Sequence, residues 1–300
     1  MKSAPFRYLR AGSLEEALVG LEEEDSKVLA GGQSLLPMLN LRLVRPSSLV
    51  DIGQLGELRQ HSFSGGVLSV GALTTHRDMS GLRGPAELAG LRALRTAAGL
   101  IGHHPIRVRG TVGGSVAHAD PAAEWPLLTL VTGAVIEVQS SRGQRTIEAS
   151  QFYRGLFETA LRPEEMVIAV RFRCLGDVTS IEEYAARAGD FAAAVAAASL
   201  TVEGGAVRAA RIAVGGVAST PLLLNQEAGV LVGARTHDRS STADLAFEVG
   251  ESCARAVSPS SDLHASDVLR RRLVRSLVVR AVQRCFAQER GRSGEREIAS

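Results

Sequence analysis

The chain has 300 residues, of which 45% are apolar and 22% charged, enough for one large or two ordinary domains with real cores. Its 34 basic and 32 acidic residues leave a formal charge of +2, too balanced to point to a nucleic-acid partner. The three cysteines, Cys174, Cys253 and Cys285, form no CxxC pair, which argues against a disulfide framework and against a metal or iron–sulfur site built by this chain alone.

The N-terminus, MKSAPFRYLRAGS, lacks an apolar signal core, and no run approaches the ~18 apolar residues of a membrane span, so the expected location is the cytoplasm. Ser13 opens a first helix with Glu16 placed for a capping box, and Leu14, Ala17, Leu18 and Leu21 share one face. Lys27 to Ala30 reads as a short strand that runs into Gly31, Gly32, Gln33 and Ser34. Leu35 to Leu43 is apolar and reads as a short buried helix, with Arg42 and Arg45 reaching from it to solvent.

Ser48–Ile52 and Val67–Val70 read as strands, and Thr74 or Thr75 caps a short helix ending near Gly81. Pro85 to Ala98 carries Leu88, Leu91, Leu94, Ala97 and Ala98 at helical spacing. The His103–His104–Pro105 segment leads into Thr111–Pro126, TVGGSVAHADPAAEWP. Its glycine pair, prolines, acids and hydroxyls match neither helix nor strand period, so it reads as a loop whose backbone approaches something closely. Glu124–Thr132 then reads as an apolar helix, and Ala134–Gln139 and Met166–Phe172 as strands.

A domain boundary is expected near Cys174–Asp177, giving one domain over 1–175 and a second over 178–290. In the second, Ala192–Val202 and Val207–Val214 read as strands joined at Gly204–Gly205, followed by helices over Thr242–Val257 and Ser266–Glu289. Residues 291–300 are polar and expected to be a disordered tail. Arg270–Arg272 reads as a solvated helix face and the cysteines as buried apolar residues. No internal repeat is visible.

Two Gly-Gly loops, Gly31–Gly32 and Gly113–Gly114, each carry nearby hydroxyls: Ser34 in the first, Thr111 and Ser115 in the second. Backbone N–H groups bared by glycine suit a diphosphate. Neither loop is GxGxxG and neither has a P-loop lysine, so an ordinary Rossmann or NTPase reading fails. A carboxylate beside a diphosphate is repelled, so Asp120 and Glu124 are expected to bond hydroxyls or loop amides instead. His103, His104 and His118 have no carboxylate or cysteine at ligand spacing, and no metal site is expected.

AGGQSLLPMLNLRL together with TVGGSVAHADPAAEWP closely resembles the two flavin-binding segments of the medium, FAD-carrying subunit of the molybdenum hydroxylases, the family of xanthine dehydrogenases and aerobic carbon monoxide dehydrogenases. YAARAGDFAAA, from Tyr184, resembles the segment that opens that family's C-terminal domain. The resemblance implies an α+β fold: a FAD-binding domain of the vanillyl-alcohol-oxidase/MurB (PCMH) type, made of two subdomains, and a small α+β CO-dehydrogenase-flavoprotein C-terminal domain. It further implies FAD contacts from Leu29, Ala30, Gly31, Gly32, Gln33, Ser34 and Leu35 in the first loop, and from Thr111, Gly113, Gly114 and Ser115 in the second. Ile101, His118, Asp120, Glu124, Phe191 and the backbone of Met166 or Val167 complete the expected site.

The function implied is an electron-transfer subunit that passes electrons from [2Fe–2S] clusters of a small partner subunit to a final acceptor such as NAD, quinone or oxygen. A molybdenum-cofactor large subunit would oxidise the substrate, the whole forming a dimer of heterotrimers. A stand-alone MurB-like reductase or oxidase is the alternative, and an interaction module without cofactor a third. In one departure, relatives carry basic residues where this chain has Ala185 and Ala186, with only Arg187 remaining.

Overall fold

The computed structural model describes residues 2–85, 88–173 and 176–299, with 294–299 by their backbone alone. Cys174 and part of the expected domain boundary lie outside the described residues. The chain opens with β1 (Arg7–Arg10), α1 (Leu14–Gly20), β2 (Ser26–Leu29), α2 (Leu35–Asn40) and β3 (Ser48–Asp51), whose strands form a parallel sheet in the order β1-β3-β2. The Ser13 hydroxyl accepts the amide of Glu16 at 3.1 Å, while the Glu16 carboxylate takes the amide of Gly12 at 2.7 Å, a capping box displaced by one residue. Ala17, Leu18 and Leu21 pack against Val50 and Ile52 beneath this sheet.

The α2 segment departs from the expected buried helix. Only Leu39 is buried in it, and Leu36, Leu41 and Leu43 face solvent, because the short sheet behind the helix is covered by α1. Arg42 takes a left-handed backbone (φ 58) and donates to the Lys2 carbonyl.

The middle of the chain holds β4 (His61–Ser64), β5 (Val67–Gly71), α3 (His76–Gly81), α4 (Leu91–Leu100), α5 (His104–Arg109), α6 (Val112–His118) and α7 (Glu124–Val131). It continues through β6 (Val135–Ser140), β7 (Gly143–Glu148), α8 (Ala149–Phe152), β8 (Tyr153–Gly155), β9 (Glu158–Thr159) and β10 (Met166–Phe172). An antiparallel sheet in the order β4-β5-β10-β6-β7 backs the helices. Thr75 caps α3 in a full capping box with Asp78. From Trp125 to Val131 every residue of α7 is buried, which is why its sequence is apolar all round.

The C-terminal part holds β11 (Val178–Tyr184), β12 (Ala194–Glu203), β13 (Ala206–Gly215), β14 (Leu222–Leu223), α9 (Asn225–Ala228), α10 (Arg239–Ala256) and α11 (Asp267–Ala299). Its antiparallel sheet runs β11-β12-β13-β14. Alternation along β12 explains its run of small apolar residues. Val195 and Ala197 join the core around α7, whereas Ala194, Ala196 and Ala198 join the core under α10 and α11. The sheet is thus buried on both faces.

Two further expectations change. α11 extends to Ala299 instead of ending before a disordered tail; Arg292 donates to the Gly176 carbonyl and Ser293 to Glu289, which hold its later turns. Arg270 is 7% exposed, not solvated, and only Arg271 and Arg272 face water. Cys253 and Cys285 are buried as expected, and burial pushes the Cys253 thiol up to about 12.

Candidate cofactor site

β2 ends where the first glycine loop begins. Gly32 turns the chain with φ +71, and Leu36 donates its amide to the Gly32 carbonyl at 3.1 Å, which starts α2. The Gln33 side-chain amide donates to the Gly31 carbonyl at 3.0 Å and locks the loop. Among the described residues, no acceptor meets the backbone N–H groups of Gly31, Gly32, Gln33 or Ser34. Four adjacent donors without acceptors form a set suited to an anionic group.

The second glycine segment is not the expected loop. Thr111 caps α6, and the amides of Val112, Gly113 and Gly114 bond to Thr74 O (3.0 Å), Ala72 O (3.0 Å) and Thr111 Oγ1 (3.1 Å). These amides are spent within the protein, so the helix survives its two glycines through tertiary bonds. Gly113 answers a packing demand: a Cβ there would stand 2.5 Å from the Ala72 Cβ. What this segment leaves open is the hydroxyl of half-buried Ser115, which bonds to no described residue. Ala119, left-handed at φ 54, ends the helix.

The two glycine segments meet. A Cβ on Gly31 would stand 2.1 Å from Arg109 O and 2.9 Å from Gly110 Cα, and one on Gly114 would stand 3.8 Å from the Ala30 Cβ. Leu29 and Leu36 flank Gly32, and Leu35 is half-buried at the start of α2. Ile101 caps α4 and packs against the central core. Arg107 holds it there, donating Nη1 to the carbonyls of Ile101 (3.2 Å) and Gly102 (2.6 Å).

At the C-terminal end of α6, half-buried His118 stacks on Phe157 with ring centroids 4.9 Å apart, and burial lowers its pKa. Asp120 accepts the Ala122 amide at 2.8 Å, a loop-amide bond as expected for it. Pro121 O accepts the Gly216 amide at 2.8 Å, which docks the end of β13 on this loop. Phe191 is 79% exposed, and Gly189 just before it lies against the His103 ring. Met166 is 2% exposed in the core under the N-terminal sheet, so only its backbone is left to face a ligand; on that edge the ladder to β5 starts at Ala169.

Two features were not legible in the sequence. Buried His76 accepts a hydrogen bond at Nδ1 from Trp125 Nε1 (3.0 Å), and burial, with the Arg107 charge second, brings its pKa down to about 4. Its ring lies against Gly110, behind the junction of the two segments. The other is Glu183 on β11, whose carboxyl meets that of Glu124 at the head of α7. Burial first and the Glu183 charge second push Glu124 up to about 8, and burial raises Glu183 as well.

Residues 4–172 match the family model described as the FAD binding domain in molybdopterin dehydrogenase, and 180–285 the CO dehydrogenase flavoprotein C-terminal domain. The nicotine 6-hydroxylase medium subunit of Paenarthrobacter nicotinovorans is 36% identical, over 94% of this chain and 98% of its own. The carbon monoxide dehydrogenase medium chain of Afipia carboxidovorans is 33% identical, over 94% and 97%. Among solved structures, quinoline 2-oxidoreductase from Pseudomonas putida 86 superposes with a TM-score of 0.86 at 36% identity, covering 96% of this chain and 99% of that one.

Proposed function

The chain belongs to the FAD-binding medium subunits of the molybdenum hydroxylases, a family of FAD-dependent oxidoreductase subunits, and from that premise we propose that it carries electrons out of a larger complex. The electrons would come from [2Fe–2S] clusters of a small subunit, after a molybdenum-cofactor large subunit has oxidised the substrate, and pass to NAD, a quinone or oxygen. We place the assembly in the cytoplasm as a dimer of heterotrimers; among the described residues no helix is long and apolar enough to cross a membrane. The FAD-binding domain would span 1–175 and the C-terminal domain 178–290.

The observation that carries this reading is the meeting of the two glycine segments beside four unclaimed amides. The N–H groups of Gly31, Gly32, Gln33 and Ser34 would hold the diphosphate, with the Ser115 hydroxyl as a further donor. Ala30, Thr111, Gly113 and Gly114 bring the segments together and shape the wall behind. Leu29, Leu35 and Ile101 give apolar contact, and His118, Phe191 and the Met166 backbone would border the ring system. Asp120 and Glu124 stand away from the phosphates, for hydroxyl or amide contacts. Bound flavin supplies exchange of one or two electrons, which suits a link between one-electron clusters and an acceptor.

The test is purification with the neighbouring subunits. Yellow protein that releases FAD on denaturation, and whose flavin bleaches after the clusters when substrate is added, is the expected result. Colourless protein that takes up no FAD on reconstitution overturns the reading.

A further inference from the structure

We propose that Phe157 is a further cofactor-binding residue, whose ring, stacked on His118, forms a shelf for one of the two planar rings of the dinucleotide. The inference rests on the FAD-carrying reading above and deepens it by adding to the site a residue of the β8–β9 hairpin.

Gly155 pairs with Glu158, so β8 and β9 close on a two-residue turn, Leu156–Phe157. Its second residue, Phe157, is left-handed with φ 57. Glycine or asparagine fills such a position without strain, whereas a bulky aromatic residue is an outlier there. Strain of this kind persists where the surroundings hold it, and it gathers at ligand sites. Both ends of the hairpin are held. Tyr153, at its base, shares a 2.8 Å hydrogen bond with Thr129 of α7. Arg145 donates to Ala160 O at 2.9 Å, and the Ala160 amide to Phe152 O at 2.8 Å. The strained turn places one ring. Phe157 lies on His118 with centroids 4.9 Å apart and ring planes 25° from parallel, a stacked arrangement. Yet Phe157 is 48% exposed and belongs to none of the apolar cores of the described residues. The ring is held at a backbone cost for a purpose other than filling the core.

The shelf stands beside the groups suited to phosphate. His118 and Ser115 are three residues apart on α6, neighbours on one helix face with Cβ atoms about 5–6 Å apart. Ser115 carries the hydroxyl that bonds to no described residue. Gly114 before it faces Ala30, whose Cβ would be 3.8 Å from a Cβ on Gly114. Ala30 leads directly into the four unclaimed amides of Gly31, Gly32, Gln33 and Ser34. A path of contacts thus runs from the first glycine loop, through α6, to the exposed ring of Phe157. In a flavin dinucleotide each planar ring is tethered to the diphosphate through a sugar or a sugar alcohol. A flat apolar surface one helical turn from a phosphate donor is therefore within reach of a ring. The isoalloxazine and the adenine share the chemistry it recognises, a π-face that stacks on an aromatic side chain.

The experiment measures dissociation constants of FAD, FMN and ADP for the full-length chain freed of flavin, by flavin fluorescence for the first two and by competition for the third. Phe157→Asn relieves the backbone and removes the ring. The thermal midpoint of the flavin-free chain should stay level or rise, while the FAD dissociation constant rises about tenfold. Phe157→Tyr restores a ring and should recover wild-type affinity to within about twofold. A loss that FMN shares and ADP does not assigns the shelf to the isoalloxazine, and the reverse assigns it to the adenine; either result supports the proposal. Unchanged FAD affinity in Phe157→Asn overturns it. So does a fall in the thermal midpoint alongside the affinity, or a failure to fold, because the ring would then serve the fold and not the cofactor. Failure of the wild type to take up FAD overturns the FAD-carrying reading itself, and this inference with it.

Discussion

The Cα of Gly31 lies so close to the carbonyl of Arg109 that a Cβ on it would stand 2.1 Å from that oxygen. The first glycine loop therefore rests on the backbone that leads into the second, through a gap that admits only hydrogen. The obstacle is main chain, which cannot rotate away. Gly31→Ala is expected to push the segments apart and to lower the flavin-to-protein absorbance ratio of the purified chain severely. Gly99→Ala, on α4 with nothing within 4 Å of the new methyl, should retain flavin and gain about 0.5–1 kcal/mol in denaturant unfolding. Full flavin content in Gly31→Ala would refute the contact as a determinant of the site.

His76 sets an acid limit. Its pKa is about 4 in the fold, against an ordinary value of 6.5, so below 6.5 the unfolded chain takes up a proton that the native chain refuses. Stability is lost as pH falls from 6.5 to about 4, by up to about 3 kcal/mol from this group, and is flat below that. His76→Asn should lose less over the same window. Urea midpoints against pH, followed through the single tryptophan, Trp125, check the difference. Equal slopes in both proteins would mean that His76 titrates normally.

Arg270 ties the C-terminal sheet to the segment around Phe191. Its Nη1 donates to Ala193 O at 2.7 Å and to Gly216 O, and its Nη2 to Asp262 at 2.6 Å. Arg270→Ala leaves one buried and one half-buried carbonyl without their donor, and about 3 kcal/mol of stability should go with it. Arg270→Lys cannot reproduce the fork and should recover only part. Thermal unfolding with and without added FAD is the measurement, and a wild-type melting temperature in Arg270→Ala would contradict the clamp.

Gly189 has φ +86, and a Cβ on it would stand 2.5 Å from the His103 ring. Gly189→Ala thus meets a backbone cost of about 1 kcal/mol and a collision with an exposed side chain. His103→Ala in the same chain should relieve the collision but not the backbone cost. FAD dissociation rates across this double-mutant cycle are expected to be non-additive. Additive effects would indicate that the two residues do not meet.

Local signals carried much of the fold. Hydrophobic period and capping residues placed α7, β10, β12 and β13 close to their observed bounds, and Ser13 and Thr75 as caps. They missed β1, β4 and β7, which are short or carry polar residues at exposed positions, and β11, where adjacent Glu182 and Glu183 break the alternation; all four owe their extended backbone to partner strands. They also took Val112–His118 for a loop, because two glycines weaken any helix that is not held by Thr74 and Ala72.

Sequence by itself established two glycine segments with hydroxyls and the likeness of the whole chain to one flavoprotein family. Only the tertiary structure decided what each glycine is for. Gly31 and Gly113 are there to admit Arg109 and Ala72, while the amides without acceptors belong to the first loop. It also decided that Glu124 faces Glu183, from a strand of another sheet. Clearances around a Cα, and the match of donors to acceptors, are set between residues far apart in the chain. Neighbours in sequence carry no record of them.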